Sequence, residues 1–556
     1  MFRSSDPFLP DYPCIIDINS SHNHRIKSAV TLSYRDPDQA VRDKFLELFK
    51  AGHSATQAVA AHKRDLMDEY EDDYYLACAD RAVCPDVKWV QNLLSTSFAS
   101  EFGPSAGDAM AKHLEKIVSD YNTGGNKAVM IHCQNDIIVA VFSTLMQRIS
   151  GLSTASQICF LDSSGNMDRF NCRVFLLMID TVVGGLPVGV LVTTSESEAV
   201  ITAALEEYKK LLCADSFGGR GATGPAVFMT DNAAALRNSL ATCFPSSVCL
   251  LCIFHVLQAT WRWLWDAKHG IKIDDRRECF SYVSRMLYSV TETECAEANN
   301  QAVNSSMADD YPNFEKYLSD MYSDRQSWAL YRRQELPTRG NNTNNMVESV
   351  FRVLKDKVFD RTRAYNVPQL FSFVTDSVDS YFSSKILTFL SGKIDQRSRY
   401  QPSRRALTVS YDITDSSNGM FSVHNPASMQ TYLVHMTLGI CSCPVGITGG
   451  PCKHQHAVSV KHKLEGHNSV FLSADSKLNL HWVATGSRAV PCDWYRSLAY
   501  TSPRKATYQG AVSEANGEIN RVSPMIASSP GRLLLIGLRK IYVVGFESVH
   551  IFCKFF

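Results

Sequence analysis

Cys441-Ser442-Cys443 is followed, after eight residues, by Cys452-Lys453-His454, so four metal-ligating side chains fall in two close pairs around a Pro/Gly loop. Residues two apart on an extended strand point to one face. Cys441 and Cys443 can therefore approach an ion from one side while Cys452 and His454 close it from the other. Three sulfurs and one imidazole suit tetrahedral Zn²⁺, and four protein ligands leave no open position, which implies a structural role. Pro444, Gly449, Gly450 and Pro451 supply the turn. The bland alternative is a set of buried free thiols, against which the pairwise spacing argues. His456 is the rival fourth ligand. Residues 432–436 alternate as a strand and residues 454–458 open a helix, so the ligands sit at a strand-to-helix junction. Loss of the ion is expected to unfold this region alone.

A second chemistry rests on carboxylates. The apolar run 158–161 ends at Asp162, and the run 226–229 is followed by Asp231. Glu348 lies in a predicted helix over residues 343–355, with Thr343 as its cap and Val347, Val350, Phe351 and Leu354 on its apolar face. Between these acids, residues 174–179 and 188–192 read as buried strands joined through Gly184-Gly185, residues 197–212 and 233–240 as helices, and residues 248–253 as a strand. Three antiparallel strands, a helix, a strand, a helix and a strand is the order of the ribonuclease H-like α/β fold. Residues 255–341, with Trp261, Trp263, Trp265 and Trp328, read as a helical insertion.

Composition bounds the rest. A chain of 556 residues, 45% of them hydrophobic, can bury several cores. Lys+Arg and Asp+Glu both total 56, so attraction to a polyanion has to come from local clusters. Such clusters are Arg332, Arg333 and Arg339; Arg352, Lys355 and Lys357; and Lys393, Arg397, Arg399, Arg404 and Arg405. These are ordinary solvated stretches unless they face phosphate. Tyr400 and Phe389 are too sparse to argue base stacking. Seventeen cysteines behind a polar start point to a reducing compartment and free or metal-bound thiols. No apolar run reaches the roughly twenty residues of a membrane span, so a soluble protein is expected. Near the N-terminus, residues 36–70 form two helices about Gly52 and Ser54, a pair that serves either as a DNA-binding helix-turn-helix or as simple packing.

Taken together, Asp162, the stretch Thr193-Thr194-Ser195-Glu196-Ser197-Glu198, Thr230-Asp231-Asn232-Ala233 with Cys252-Ile253-Phe254-His255, and Asn344-Asn345-Met346-Val347-Glu348-Ser349 resemble a Mutator-like (MULE) transposase domain over residues 156–357. The Cys-x-Cys, loop, Cys-x-His spacing resembles the SWIM-type zinc finger that accompanies such domains. The resemblance implies a DDE transposase core in which Asp162, Asp231 and Glu348 hold two divalent cations, Mg²⁺ or Mn²⁺, about 3.5–4 Å apart. On this reading Asp162 bridges both ions while Asp231 and Glu348 hold one each. Ser163-Ser164 departs from the family's pattern after the first acid, with Asp168 and Asp180 as nearby substitutes. Cys252 and His255 resemble the Cys-x-x-His element that follows the second acid and are read as structural or DNA-positioning residues.

The implied organisation is an N-terminal helical region (1–127), the transposase-like domain (128–365, insertion about 256–341), a basic helical linker (366–420), the finger (421–465) and an unassigned tail (466–556). DNA is the implied partner and the nucleus the implied location, with a homo-oligomer and protein partners reached through the finger as further expectations. A domesticated, non-catalytic binder of DNA or protein is the principal alternative. An adaptor like the SWIM-containing components of ubiquitin ligases is a third.

Overall fold

The computed structural model describes residues 2–3, 14–15, 25–133, 136–358, 363–392, 410–416, 419–468 and 472–489. Lys393, Arg397, Arg399, Tyr400, Arg404 and Arg405, and the tail beyond residue 489, lie outside the described residues.

In the N-terminal region, α1 (Gln39–Lys50) and α2 (Ala55–Tyr70) are separated by Gly52, at φ +91°, and by Ser54, whose side chain forms a capping box with Gln57. Both helices bury their apolar sides with α3 (Val87–Phe102) in a cluster that includes Phe45, Phe49, Ala58, Val59, Val90 and Leu93. That packing accounts for the helical periodicity without requiring a nucleic acid.

Seven strands form the central sheet: β1 (Lys127–Cys133), β2 (Asp136–Phe142), β3 (Ile158–Ser164), β4 (Arg173–Thr181), β5 (Gly184–Thr193), β6 (Val227–Thr230) and β7 (Val248–Leu251). Their order is β1-β2-β5-β4-β3-β6-β7. Strands β3, β4 and β5 form an antiparallel meander, whereas β6 and β7 run parallel to β3. This mixed sheet, with a hairpin added at the β5 edge, is consistent with a transposase or ribonuclease H-like fold. Every residue of β5 is buried, as its continuous apolar run requires when both faces are covered.

The two faces carry different helices. Gly189 pairs with Leu177, and Leu177 with Leu161, so these residues share the face opposite to Asp162. On that face α4 (Glu198–Leu211) lays Tyr208 over Gly189, where a Cβ would stand 2.5 Å from the ring, and the phenol donates to Val188 O at 2.6 Å. α5 (Ala234–Cys243) packs beside α4, with Thr202 Oγ1 bonded to Ser239 Oγ at 2.9 Å.

Strand β7 ends at Leu251, and Ile253, expected in the strand, instead opens α6 (Ile253–Trp265). With α7 (Arg276–Tyr288), α8 (Glu292–Val303) and α9 (Pro312–Ser323), α6 encloses a separate apolar core about Leu264, Val283, Met286, Phe314, Leu318 and the fully buried Trp328. The chain returns through Arg333 to α10 (Asn345–Val353), which carries Glu348. Downstream, α11 (Val378–Leu390) is anchored to the helix Thr144–Ser150 and its cap by the Ser143 hydroxyl, which donates to Asp379 at 2.9 Å.

The finger is a four-stranded antiparallel sheet, β8 (Asp412–Asp415), β9 (Met420–Asn425), β10 (Gln430–His435) and β11 (Ile440–Cys441), closed by α12 (Lys453–His462). Beyond it, α13 (Ala474–Thr485) packs on α11, with Ser383 Oγ donating to Ala484 O at 3.0 Å. All these elements belong to one compact unit, Met1–Arg496. Among the described residues no helix is long and apolar enough to cross a membrane.

Candidate carboxylate site and metal centre

The parallel register of β3 and β6 pairs Phe160 with Met229, so Asp162, two residues further along β3, falls level with Asp231, the residue just past the end of β6. Neighbouring strands lie about 4.8 Å apart, which sets these two side chains next to each other on one face. Asp162 is not the last residue of its strand, since β3 continues through Ser164.

Glu348 reaches the same end of the sheet from α10. Its helix lies against the β4–β5 hairpin so closely that a Cβ on Gly185 would stand 2.5 Å from Met346. The helix cap is Asn344, not Thr343, and the Asn344 side chain does not cap its own helix. Its Nδ2 donates instead to Asp162 Oδ2 at 3.1 Å, and its backbone N–H meets Cys252 Sγ at 3.5 Å.

Burial pushes the Asp162 carboxyl up to about 7, with the Asp231 charge adding to the effect and Glu348 contributing less, while the Ser163 N–H and His255 oppose them. The three acids therefore share one electrostatic neighbourhood. They are not a tight cluster: among the described residues, the finger ligands are the one group of three or more His, Cys, Asp or Glu whose ligand atoms all lie within 4.8 Å of one another.

His255 stands in the first turn of α6 with Nε2 3.1 Å from Glu348 Oε1. This is an ion pair by distance, yet Glu348 Oε1 has no well-aligned hydrogen bond, and His255 Nδ1 and Asn344 Oδ1 are likewise buried without partners. The Cys252 thiol first, and Glu348 next, push the His255 ring up to about 10 against the effect of burial. Cys252 and His255 thus both contact the segment that carries Glu348, one through the Asn344 N–H and the other through Glu348 itself. Asn344 Oδ1, buried without a partner on the side chain whose Nδ2 donates to Asp162, is an atom that a hard cation or its water shell would satisfy.

The substitutes fall elsewhere. Asp168 is fully buried in the loop after β3, where its Oδ1 accepts the Cys172 N–H at 2.7 Å. Asp180 lies four residues down β4 from Leu176, the partner of Asp162, and accepts from Asn341 Nδ2 at 3.2 Å.

Two arginines read as candidate phosphate contacts are internal. Arg333 is 1% exposed, and its guanidinium donates to Leu251 O at 2.5 Å and to Asn342 O at 3.3 Å. Burial lowers it to about 10. Arg339 donates to the backbone of the finger loops. No pattern of residue types distinguishes these roles from surface charge, because the acceptors are backbone carbonyls distant in sequence.

In the finger, Cys441, Cys443, Cys452 and His454 converge with their ligand atoms within 4.8 Å of one another, a Cys₃His cluster able to hold a metal ion. Cys441 follows from the pairing of β10 and β11, opposite Val434, while Cys452 caps α12 and His454 lies in its first turn. His454 turns Nδ1 toward Cys441 Sγ, 3.6 Å away, and Tyr432 stacks on the ring at 3.9 Å, fixing its orientation. The Gly446 and Gln455 N–H groups donate to Cys443 and Cys452 Sγ at 3.2 and 3.5 Å. Hydrogen bonding with Cys441 and Cys452 lowers the Cys443 thiol, and hydrogen bonding with Cys443 and Cys452 raises Cys441. His456 is buried outside this group, with both ring nitrogens unpartnered.

The chain carries a transposase-like region and, separately, a Cys₃His cluster able to hold a metal ion. Residues 188–365 match the family of transposases described as the Mutator family. That stretch holds Asp231, Cys252, His255 and Glu348; Asp162 and the finger lie outside it. No curated protein matches the chain.

Proposed function

We propose that this chain is a Mutator-like transposase or a close derivative, in which Asp162, Asp231 and Glu348 form a DDE site for Mg²⁺- or Mn²⁺-dependent DNA cleavage and strand transfer. The observation that carries the reading is the strand register that sets Asp162 beside Asp231 beneath the Glu348 helix. In cleavage, a water oxygen attacks phosphorus, the bond to the 3′ oxygen breaks, and the water proton passes to solvent as a free 3′ hydroxyl forms. In transfer, that hydroxyl attacks a second strand and displaces its 3′ oxygen. Bound divalent ions would activate the attacking oxygen and stabilise the leaving one. The chain's own part is to hold the carboxylates: Asn344 orients Asp162, and His255 steadies Glu348. The finger is read as a SWIM-type element with structural Zn²⁺ on Cys441, Cys443, Cys452 and His454, its thiol-rich donor set favouring zinc over Mg²⁺ or Ca²⁺. DNA as partner and the nucleus as location follow from the same reading.

One observation favours the domesticated, non-catalytic binder: the three acids stand looser than the finger ligands. Incubating the protein with labelled terminal-repeat DNA and Mn²⁺ separates the two. Cleavage that Asp231→Asn abolishes supports the nuclease, and an inert wild type leaves the binder.

A further inference from the structure

The segment joining the helical insertion to α10 runs along β3 and touches both sites. At its start, the Arg339 backbone N–H donates to Thr448 O at 2.9 Å. Its Nη1 shares its two hydrogens among Leu438 O at 3.2 Å, Gly439 O at 3.4 Å and Gly449 O at 3.2 Å, carbonyls of the loops that flank the finger ligands. The same side chain bonds Gln157, the residue before β3. Gly340 follows at φ +68° and lies against Gly450, whose added Cβ would stand 3.2 Å from the Gly340 Cα. Next, Asn341 donates to Asp180, Asn342 O accepts from the Ile253 N–H at 3.0 Å and from Arg333, and Asn344 donates to Asp162. Five residues after Arg339 the chain has reached the carboxylates.

The finger side of this contact is built as firmly. Asn468 Nδ2 donates to Gly439 O at 2.9 Å and to Gly449 O at 2.8 Å, and Gln455 Nε2 donates to Gly439 O at 3.1 Å. Gln455 sits between His454 and His456 in the first turn of α12. Of the carbonyls that receive Arg339, Gly439 O is therefore held by the helix that supplies a metal ligand, and Gly449 O by Asn468 beyond that helix. Arg339 itself adopts φ +53°, a left-handed conformation that a non-glycine residue holds only when its surroundings impose it.

We propose that Arg339 is a positioning residue that docks the metal-loaded finger onto the 338–344 segment, so that order in the finger's ligand loop sets order at Asp162 and Glu348. This rests on the metal-finger reading above, and it revises the expectation that metal loss stays within the finger. The guanidinium places Nε on the Gln157 amide and Nη1 among the finger-loop carbonyls, two separated donors that Lys, with a single ammonium, does not present.

Amide hydrogen exchange on the full chain tests it, read at residues 340–350 and 430–462 with the finger metal present and after chelation. Chelation should accelerate exchange at 340–350 by about tenfold or more, within the range of ordinary intramolecular coupling. Arg339→Ala should accelerate 340–350 with the metal still bound, leaving little further response to chelation. Arg339→Lys should fall between, and it carries the test if the alanine variant does not fold. Arg332→Ala, which loses only its bond to Glu335, should match wild type. Acceleration confined to 430–462, or an undiminished response of 340–350 to chelation in the Arg339 variants, overturns the proposal. So does a wild type that binds no finger metal, which metal analysis identifies separately. Exchange reads backbone order and not cleavage, so a catalytically dead carboxylate site leaves this result intact.

Discussion

At the scale of single residues, the carboxylate site differs from a surface cluster in what surrounds it. Asp162 is 9% exposed and flanked by a second acid in register, a costly arrangement that persists only where the charge has a use or a counter-charge. On the nuclease reading proposed above, Glu348→Gln should abolish DNA cleavage while changing affinity little, because the carboxylate would stabilise metal and transition state and make little contact with bound DNA. Gel-shift and cleavage assays on the same preparation check this, and equal cleavage by wild type and variant would move the role to another acid. Arg333 is a different kind of buried charge, one that holds backbone carbonyls together at the exit from β7. Arg333→Ala should destabilise the protein by about 3 kcal/mol, the cost of carbonyls left unsatisfied in a cavity, measured by urea unfolding.

Between elements, close approach decides where Glu348 goes. Gly185 permits α10 to lie on the β4–β5 hairpin, and any larger residue meets Met346. Gly185→Val should cost about 1–3 kcal/mol through overpacking and lower cleavage with it, whereas Gly52→Ala, open around its Cβ but at φ +91°, should leave cleavage unchanged. The finger is held by elements too: two ligands come from the end of β11 and the loop just after it, and two from the start of α12. Cys443→Ser should lower bound zinc below one ion per chain and expose the backbone near residue 440 to protease. Full zinc content with unchanged protease resistance would remove Cys443 from the ligand set.

For the whole molecule, equal numbers of acidic and basic residues mean that the DNA binding proposed above would depend on placement. With Arg333 and Arg339 committed internally, the burden shifts to groups such as the exposed Arg352 and to Arg397 and Arg399, the last two outside the described residues. Neutralising Arg397 and Arg399 together should weaken DNA binding for all sequences and reduce the salt slope by about one for each phosphate that the variant no longer neutralises. Unchanged affinity across a salt titration would exclude that segment from the interface. The helical insertion has its own core, and it fixes where the chain re-enters the sheet domain beside Cys252.

Much of this protein is legible in its sequence because the signals are local. Apolar β-branched runs ending in acids mark the strands, helical periodicity marks α4 and α10, and two close Cys/His pairs mark the metal cluster, since spacing of two residues or one helical turn by itself brings ligands together. Strand order follows from the element sequence in the same way. The boundaries are less legible: Ile253 turns from strand to helix, and the cap of α10 is Asn344 instead of Thr343, its side chain drawn to a buried carboxylate distant in sequence instead of to its own helix. Arginine is read as surface charge until the fold supplies carbonyls to receive it, as it does for Arg333 and Arg339. Residue types and spacing determined which groups could do chemistry; the tertiary structure decided which of them meet, because hydrogen bonds between distant segments leave no periodicity in the chain that makes them.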